Sequence, residues 1–142
     1  MKRIPVALLL LLFVVSLTAQ GRRYPPPPQN DPWIYGPQNN RWDPSWNNRP
    51  FPRSGACFFT SQNFSGNRFC VRSGDRLPAL PGNFGDNISS IQTFGRVRVQ
   101  IFNDRNFRGG TQFVPGSVAD LRQLRFKRNN TWNNRVSSIA IF

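Results

Sequence analysis

The chain of 142 residues contains no histidine and no glutamate, and all six of its acidic residues are aspartates. Histidine and glutamate are the usual general acids, general bases and zinc ligands of enzymes. Lysine is also scarce, because Lys127 is the only lysine after Lys2. Most acid-base and nucleophilic arrangements are therefore missing, and we expect a protein that is not an enzyme.

Long apolar runs are missing as well, except near the N-terminus. Lys2 and Arg3 precede an apolar run from Val6 to Val15, and the small and polar residues Ser16, Thr18 and Ala19 follow. The run is too short to span a bilayer comfortably, and this order of regions is typical of an export signal. We predict a signal peptide over residues 1–19, no transmembrane segment after its cleavage, and a secreted or periplasmic location.

Negative charge is scarce relative to positive charge, with 19 basic residues and a net charge of +13. Arginine is a permanently charged donor suited to carboxylate, phosphate and sulfate groups, so the chain could bind anionic polymers of the cell envelope. The basic residues from Arg122 to Arg128 and those of residues 20–54 would contribute. A solvated, soluble surface is the alternative, and nucleic acid is the least expected partner because no nucleic-acid module is recognisable.

Residues 20–54 differ in composition from the rest of the chain. They hold most of the 13 prolines, including Pro25 to Pro28, together with aromatic residues and many asparagines. Dense proline opposes helices and sheet ladders, so we expect a disordered or semi-rigid linker or arm. The interleaved aromatics leave a second hypothesis, in which the arm stacks on a glycan or a partner.

A residue pattern repeats within residues 55–142. The block from Phe59 to Gly66 matches the block from Phe102 to Gly109 at an offset of 43, and a downstream Ser-Ser pair recurs at an offset of 48. Two copies of one supersecondary unit are therefore predicted, with about five extra residues in the second copy within 125–131.

Each copy has the features of a folded hairpin followed by a strand. Two phenylalanines clamp the hairpin, a glycine supplies a positive φ, and the serines satisfy exposed backbone groups at a strand start. Strands are predicted at 88–93, 96–101 and 136–142, and one or two helical turns at 119–126. The residues assigned to this motif are Phe59, Phe64, Gly66, Ser90, Phe102, Phe107, Gly109 and Ser138.

The chain has two cysteines, Cys57 and Cys70, and they flank the first hairpin block. In an oxidising compartment they can meet across the hairpin, and such a bridge would stabilise the fold by roughly 3 kcal/mol. Two free thiols or a redox pair are the alternatives.

At these residues the chain resembles the βγ-crystallin family, whose unit is an aromatic-x4-aromatic-x-Gly hairpin followed by an Asn/Asp-Asn/Asp-x-x-Ser/Thr-Ser loop. The loop at residues 133–138 fits fully, whereas Gly85 departs at the first position of loop 85–90. The resemblance implies an all-β sandwich of two four-stranded Greek-key motifs, at about 55–95 and 97–142.

The resemblance also implies a calcium site in each loop, shared between the two motifs. Only one of the implied side chains carries a carboxylate, so we expect weak binding, and simple turn-capping is the alternative. The implied ligands are side-chain oxygens of Asp86, Ser89, Asn133, Asn134 and Ser137, with carbonyls of Asn87 and Arg135 and of the hairpins near Thr60 and Asn103.

A second implication concerns proteases. Some exported bacterial proteins of this fold with a cysteine in the first unit are similar to metalloprotease inhibitors, and the segments Ala56–Phe59 and Arg68–Cys70 share that character. The expected function is therefore a non-enzymatic binding or structural role with weak calcium binding. A secreted protease inhibitor is the leading alternative.

Overall fold

The computed structural model describes residues 41–142, so the predicted signal peptide and residues 20–40 of the predicted arm lie outside the described residues. The described part is built from short antiparallel strands and two short 3₁₀ helices, Pro44–Asn48 and Leu121–Gln123. The strands are β1 (Gly55–Ser61), β2 (Ser65–Arg72), β3 (Arg76–Leu77), β4 (Ser90–Phe94), β5 (Val99–Asp104), β6 (Arg108–Val114), β7 (Arg125–Lys127), β8 (Asn130–Thr131) and β9 (Ser138–Ile141).

The two predicted hairpins form β1–β2 and β5–β6 and have the same backbone path. Gly66 and Gly109 have φ values of 80° and 75°, in the left-handed region that a Cβ disfavours. Phe59 lies 6.0 Å from Phe64 between ring centroids, and the equivalent pair in the second hairpin lies 5.6 Å apart. The predicted clamped hairpin is confirmed in both copies.

The strands form two main sheets, with orders β2-β1-β4 and β3-β9-β5-β6. β3 comes from motif 1 but pairs with β9 of motif 2, and Val118 of motif 2 bridges Ile91 of motif 1. The motifs therefore exchange an element across the sandwich, in addition to packing face to face. The expected all-β Greek-key sandwich is confirmed, while this exchange of elements was not part of the prediction.

The core lies between the sheets because alternate residues of each strand point inward. Val99 and Ile101 are buried, as their alternation predicts, although β5 begins at Val99 and not at residue 96. Phe58 and Phe69 stack on the inner face of the first sheet at 5.1 Å. The fully buried side chains include Trp132, Phe58, Phe69, Ile88, Ile91, Ile101, Leu121 and Ile139.

Two predictions concern the local structure of motif 2, one for the inserted residues and one for a short helical segment. The extra residues form the β7–β8 hairpin, within the predicted 125–131 segment. The segment 119–126, predicted as one or two helical turns, contains a single 3₁₀ turn. Asp120 caps this turn by accepting a hydrogen bond from the backbone N–H of Arg122 at 2.9 Å.

Residues 41–53, called the strap below, correct the predicted domain boundary. This segment belongs to the predicted disordered arm, yet Trp46 is buried and joins the main core. Asp43 caps the first 3₁₀ helix by accepting from the N–H of Ser45 at 2.8 Å, and Pro44 begins it. The packed part of the chain therefore begins before residue 55.

Across residues 41–142, no helix has the length and apolar character needed to cross a membrane.

Candidate functional site

The second serine of each loop holds the folded hairpin of its own motif. The Ser90 hydroxyl donates to the carbonyl of Ser61 at 2.6 Å and accepts from the N–H of Phe64 at 3.1 Å. Ser138 does the same with Asp104 and Phe107, at 2.6 Å and 3.0 Å. Both serines are fully buried, and each hydroxyl bonds two backbone groups of its hairpin.

The first serine of each loop faces the other motif. The Ser137 hydroxyl donates to Oδ1 of Asp86 at 2.8 Å, and we call this pair of oxygens site 1. The Ser89 hydroxyl lies 3.4 Å from Oδ1 of Asn134, and we call this pair site 2. Four of the residues predicted to bind calcium are thus brought together in two pairs, each drawn from both motifs.

Backbone geometry fixes both pairs. Asp86 and Asn134 have φ values of 57° and 54°, which aspartate and asparagine tolerate better than most residues. The N–H of Asp86 donates to the carbonyl of Val136 at 3.0 Å, and the N–H of Asn134 donates to Ile88 at 2.9 Å. Each loop is therefore held in place by the opposite motif.

The other predicted ligands have less uniform surroundings. Oδ1 of Asn133 is buried and has no hydrogen-bond partner within residues 41–142. Asn87 and Arg135 are exposed, and the Arg135 guanidinium donates to Asn130 at 3.1 Å. Gly85, which corresponds to Asn133, supplies no side chain, so the two loops offer different sets of oxygens.

Negative charge at the two sites is low. Site 1 has the Asp86 carboxylate, whereas site 2 has an amide oxygen and a hydroxyl. The described residues contain no group of three or more histidine, cysteine, aspartate or glutamate side chains placed to hold a metal. The donors fit a weak oxygen site for calcium, and site 1 fits better than site 2 because it carries a carboxylate.

The outer face of the first sheet carries the disulfide. Cys57 and Cys70 are directly opposed on β1 and β2 and are bonded, as predicted. They cluster with Phe59 and Phe94, apart from the main core. The bridge therefore braces the hairpin of motif 1 from the side that faces away from motif 2.

Arg68 fastens the strap over this face. Its guanidinium donates hydrogen bonds to the carbonyl of Asn47, at 2.9 Å, and to the carbonyl of Arg49. The same group lies 3.4 Å from the sulfur of Cys70 and 4.2 Å from the centre of the Phe51 ring. The Phe51 ring in turn stacks on Phe94 at 5.0 Å. Sequence reasoning missed this cluster because no periodic pattern links residues so far apart in the chain.

The outer face of motif 2 is not covered in this way by residues 41–142. Gln100 and Phe113 are opposed on β5 and β6, at the positions that correspond to Cys57 and Cys70. Phe113 and Phe142 are each 47% exposed, and Arg98 lies 4.8 Å above the Phe113 ring. The two motifs thus present different surfaces to solvent.

The two aspartates that cap the 3₁₀ helices have shifted pKa values. Hydrogen bonds from the backbone and side chain of Ser45 lower the pKa of Asp43 from its ordinary value of 3.8. Hydrogen bonds from the side chain and backbone of Arg122 lower the pKa of Asp120 in the same way, and this pairing raises the pKa of Arg122. Both carboxylates stay ionised at neutral pH and cap 3₁₀ helices.

Comparison with known proteins connects this geometry to a family. The model of peptidase inhibitor family I36 matches residues 46–114, a range that includes most of the strap, the disulfide hairpin and β5–β6. No curated protein sequence matches the chain.

Solved structures with a similar fold come from several organisms. A βγ-crystallin domain from Flavobacterium johnsoniae is 26% identical, with a TM-score of 0.51, and the match covers 61% of this chain and 92% of that one. A domain of the abundant perithecial protein of Neurospora crassa, solved in its Ca²⁺-bound form, is 17% identical, with a TM-score of 0.51 and coverage of 66% and 92%.

The N-terminal domain of protein S is 22% identical, with a TM-score of 0.51, and the match covers 63% of this chain and 96% of that chain. The clamped hairpins, the paired serine loops and these matches agree with one another. The chain has the fold of βγ-crystallin domains, and residues 46–114 match the model of peptidase inhibitor family I36.

Proposed function

We propose that the protein is a non-enzymatic binding protein whose domain is stabilised by weak calcium binding at the two serine loops. The observation that carries the proposal is the pairing of Asp86 with Ser137 and of Asn134 with Ser89 across the two motifs. A cation at either pair would contact both halves of the sandwich, so its binding would oppose their separation. The Ca²⁺-bound form of the Neurospora crassa domain shows that a protein of this fold can hold the ion.

The two sites are expected to differ in affinity. Calcium prefers six to eight oxygens, and its affinity rises with the number of carboxylates. Asp86 gives site 1 a charge that site 2 lacks, while the unpartnered Oδ1 of Asn133 is an available oxygen donor in the loop of Asn134. The excess of arginine over aspartate lowers the affinity of both sites.

Thermal unfolding in chelator and in calcium tests the proposal. With a Kd of about 1 mM, calcium at about 10 mM would stabilise the folded state by about 1.4 kcal/mol. For a domain of about 100 residues this corresponds to a rise in Tm of several degrees. An unchanged Tm in calcium would refute the proposal.

Two variants locate the binding. Asp86→Asn should remove most of the rise in Tm, whereas Asn134→Asp should increase it by adding a carboxylate to site 2. Asp75→Asn is the matched control, because Asp75 is a half-exposed aspartate paired with Arg72 and lies outside both loops. Equal loss of the rise in the Asp86→Asn and Asp75→Asn variants would indicate a general charge effect.

A protease inhibitor is the second candidate, and the match of residues 46–114 to peptidase inhibitor family I36 favours it. An inhibitor needs a rigid surface that enters a protease cleft without losing its shape. The hairpin of motif 1 meets that requirement, since the disulfide braces β1 against β2 and Arg68 holds the strap across both cysteines.

Inhibition assays against secreted metalloproteases and serine proteases test this candidate. An inhibitor should give a finite inhibition constant with intact protein recovered after incubation. Inhibition should weaken in the Cys57→Ala, Cys70→Ala double variant. It should persist in the Asp86→Asn variant, because Asp86 lies in a calcium loop and not in the disulfide hairpin. Rapid cleavage of the folded protein without inhibition of any protease in the panel would exclude it.

A further inference from the structure

An open groove of about 610 Å³ lies in motif 1 between the beginning of the strap and the loop that precedes Ile88. It borders the calcium loops through Thr60 and Asn87, but neither calcium binding nor the inhibitor hypothesis uses its aromatic ring or its other side chains. Its lining includes Arg41, Trp42, Thr60, Asn67, Asn83 and Asn87.

The groove exists because the two motifs fill equivalent space differently. In motif 2 the β7–β8 insertion places Phe126 against Trp132, with ring centroids 4.8 Å apart. The Phe126 ring lies directly on Gly110, where any Cβ would collide with it. The insertion therefore closes the corresponding space in motif 2.

Motif 1 lacks the insertion and takes its aromatic ring from the strap. Phe84 is the residue of motif 1 that corresponds to Trp132. The Trp42 ring packs on Phe84 with 5.9 Å between the ring centroids, so Trp42 occupies the position that Phe126 occupies in motif 2. The residue that corresponds to Gly110 is Asn67, so β2 carries a side chain at the position where β6 has none. An open space bounded by a ring and by amide groups remains.

The orientation of Trp42 is fixed. Its indole N–H donates to the carbonyl of Arg68 at 3.0 Å, and its Cβ lies against Gly82. The side chain is only partly buried, so part of the ring stays accessible from the groove. A preformed ring of this kind can bind the apolar face of a flat ligand at little entropic cost.

The polar groups of the groove are mostly carboxamides. Asn67 accepts a hydrogen bond from Asn47 at 3.1 Å, and among residues 41–142 its own side-chain N–H groups have no acceptor. Asn83 and Asn87 are exposed and have no side-chain hydrogen bond to another residue of the 41–142 range. A carboxamide both donates and accepts, which matches the paired donor and acceptor character of vicinal hydroxyls.

We propose that this groove is a carbohydrate-binding site for a short oligosaccharide that carries a carboxylate, such as one built from uronic acids. Trp42 stacks against a sugar ring, the asparagines bind its hydroxyls, and Arg41 pairs with the carboxylate. The guanidinium group suits this role because it forms paired, charge-assisted hydrogen bonds with planar carboxylates.

Nuclear magnetic resonance of the ¹⁵N-labelled chain tests the proposal, with α-1,4-linked trigalacturonate as the probe. The neutral α-1,4-linked galactotriose is the matched sugar without carboxylates. The resonances of the Trp42 indole and of the asparagine side chains should shift with trigalacturonate, and sodium chloride at moderate concentration suppresses general attraction to the basic surface.

Arg41→Gln should weaken trigalacturonate binding about tenfold, the effect of one charge-assisted hydrogen-bond pair, and should leave galactotriose binding unchanged. Asn83→Ala should weaken the binding of both sugars by about threefold to tenfold. Both positions are exposed, so the Tm of each variant should match that of the parent chain. Arg128→Gln and Asn129→Ala, on the exposed β7–β8 turn, are the matched controls and should change nothing.

Three results would overturn the proposal. The first is the absence of shifts at Trp42 with either sugar. The second is equal weakening by Arg41→Gln and Arg128→Gln, which would show that trigalacturonate responds to net charge alone. The third is equal affinity for the two sugars, which would show that the groove does not recognise the carboxylate.

Discussion

The two Greek-key motifs share their hairpins and serine loops but complete the packing around them by different means. Motif 1 uses the disulfide, Arg68 and the strap, which comes from outside the repeat. Motif 2 uses its own β7–β8 insertion and leaves Phe113 and Phe142 about half exposed. Backbone geometry therefore dictates the parts that match, whereas the parts that differ are those where several side-chain solutions can exclude water.

The largest effect is expected from removing the ring that fills motif 2. Trp132 is 1% exposed and donates its indole N–H to Gln112 at 2.7 Å. Trp132→Ala should lower the free energy of unfolding by about 3–5 kcal/mol because it leaves a large cavity and an unpaired amide. Trp42→Ala, in the corresponding place of motif 1, should cost clearly less because Trp42 is only partly buried.

Urea denaturation of both variants measures this difference. Equal losses would mean that the strap ring supports motif 1 as strongly as the inserted hairpin supports motif 2, and the contrast between filled and open space would have to be abandoned.

The disulfide should give the next largest effect. Replacing both Cys57 and Cys70 by alanine should lower the free energy of unfolding by roughly 3 kcal/mol, since the loop they close is lost from the unfolded chain. Because Gln100 and Phe113 have the same register in motif 2, a Gln100→Cys, Phe113→Cys variant should form a second bridge. Its gain should not exceed roughly 3 kcal/mol.

Mass spectrometry without reductant detects the second bridge, and denaturation with and without reductant measures its effect. Failure of the new cysteines to pair in folded protein would show that the two outer faces are less alike than their register indicates.

A smaller loss is expected from loosening the strap. Asn47 accepts from the N–H of Arg68 at 2.9 Å through its side chain and from the guanidinium through its carbonyl. Asn47→Ala should cost about 1–2 kcal/mol, and hydrogen exchange should quicken in residues 43–53 but not in β6. Asn48→Ala is the control, because the neighbouring Asn48 is exposed. Equally fast exchange in the Asn48→Ala variant, or unchanged exchange in the Asn47→Ala variant, would contradict the proposed attachment.

The smallest effect concerns pH. The pKa values of Asp43 and Asp120 are lowered in the folded protein, so each contributes stability above its ordinary value of 3.8 that is lost as pH falls through the folded pKa. An Asp43→Asn, Asp120→Asn variant should therefore show a shallower loss of stability below about pH 4. Urea midpoints measured across this range test it, and identical slopes for variant and parent would exclude the capping contribution.

Local chemistry explains what could be predicted. Two phenylalanines, a glycine and a buried serine determine each hairpin because the backbone there needs a positive φ and a hydroxyl partner. The two cysteines and the 125–131 insertion were predictable for similar reasons, since spacing alone reveals them. The family resemblance implied two sites that each draw on both motifs, but not which side chains would pair.

Long-range packing explains what could not be predicted. Trp46 and Arg68 lie in segments whose composition suggests a linker and a solvated strand, and their burial depends on each other. The pairing of β3 with β9 was likewise hidden, because Arg76 and Leu77 form too short a strand to show a period. Such features depend on contacts between distant segments, which no local pattern encodes.

The position of β9 has a kinetic consequence. β9 follows the other described strands along the chain, yet it lies inside its sheet between β3, from the first motif, and β5. β3 and β5 cannot complete their hydrogen-bond ladders until Ser138–Ile141 has emerged, so we expect folding to await this segment and to proceed slowly, as for other folds with distant pairings. Until then the inner faces of both hairpins stay exposed to water, and a chaperone that holds nascent chains would bind them at that stage.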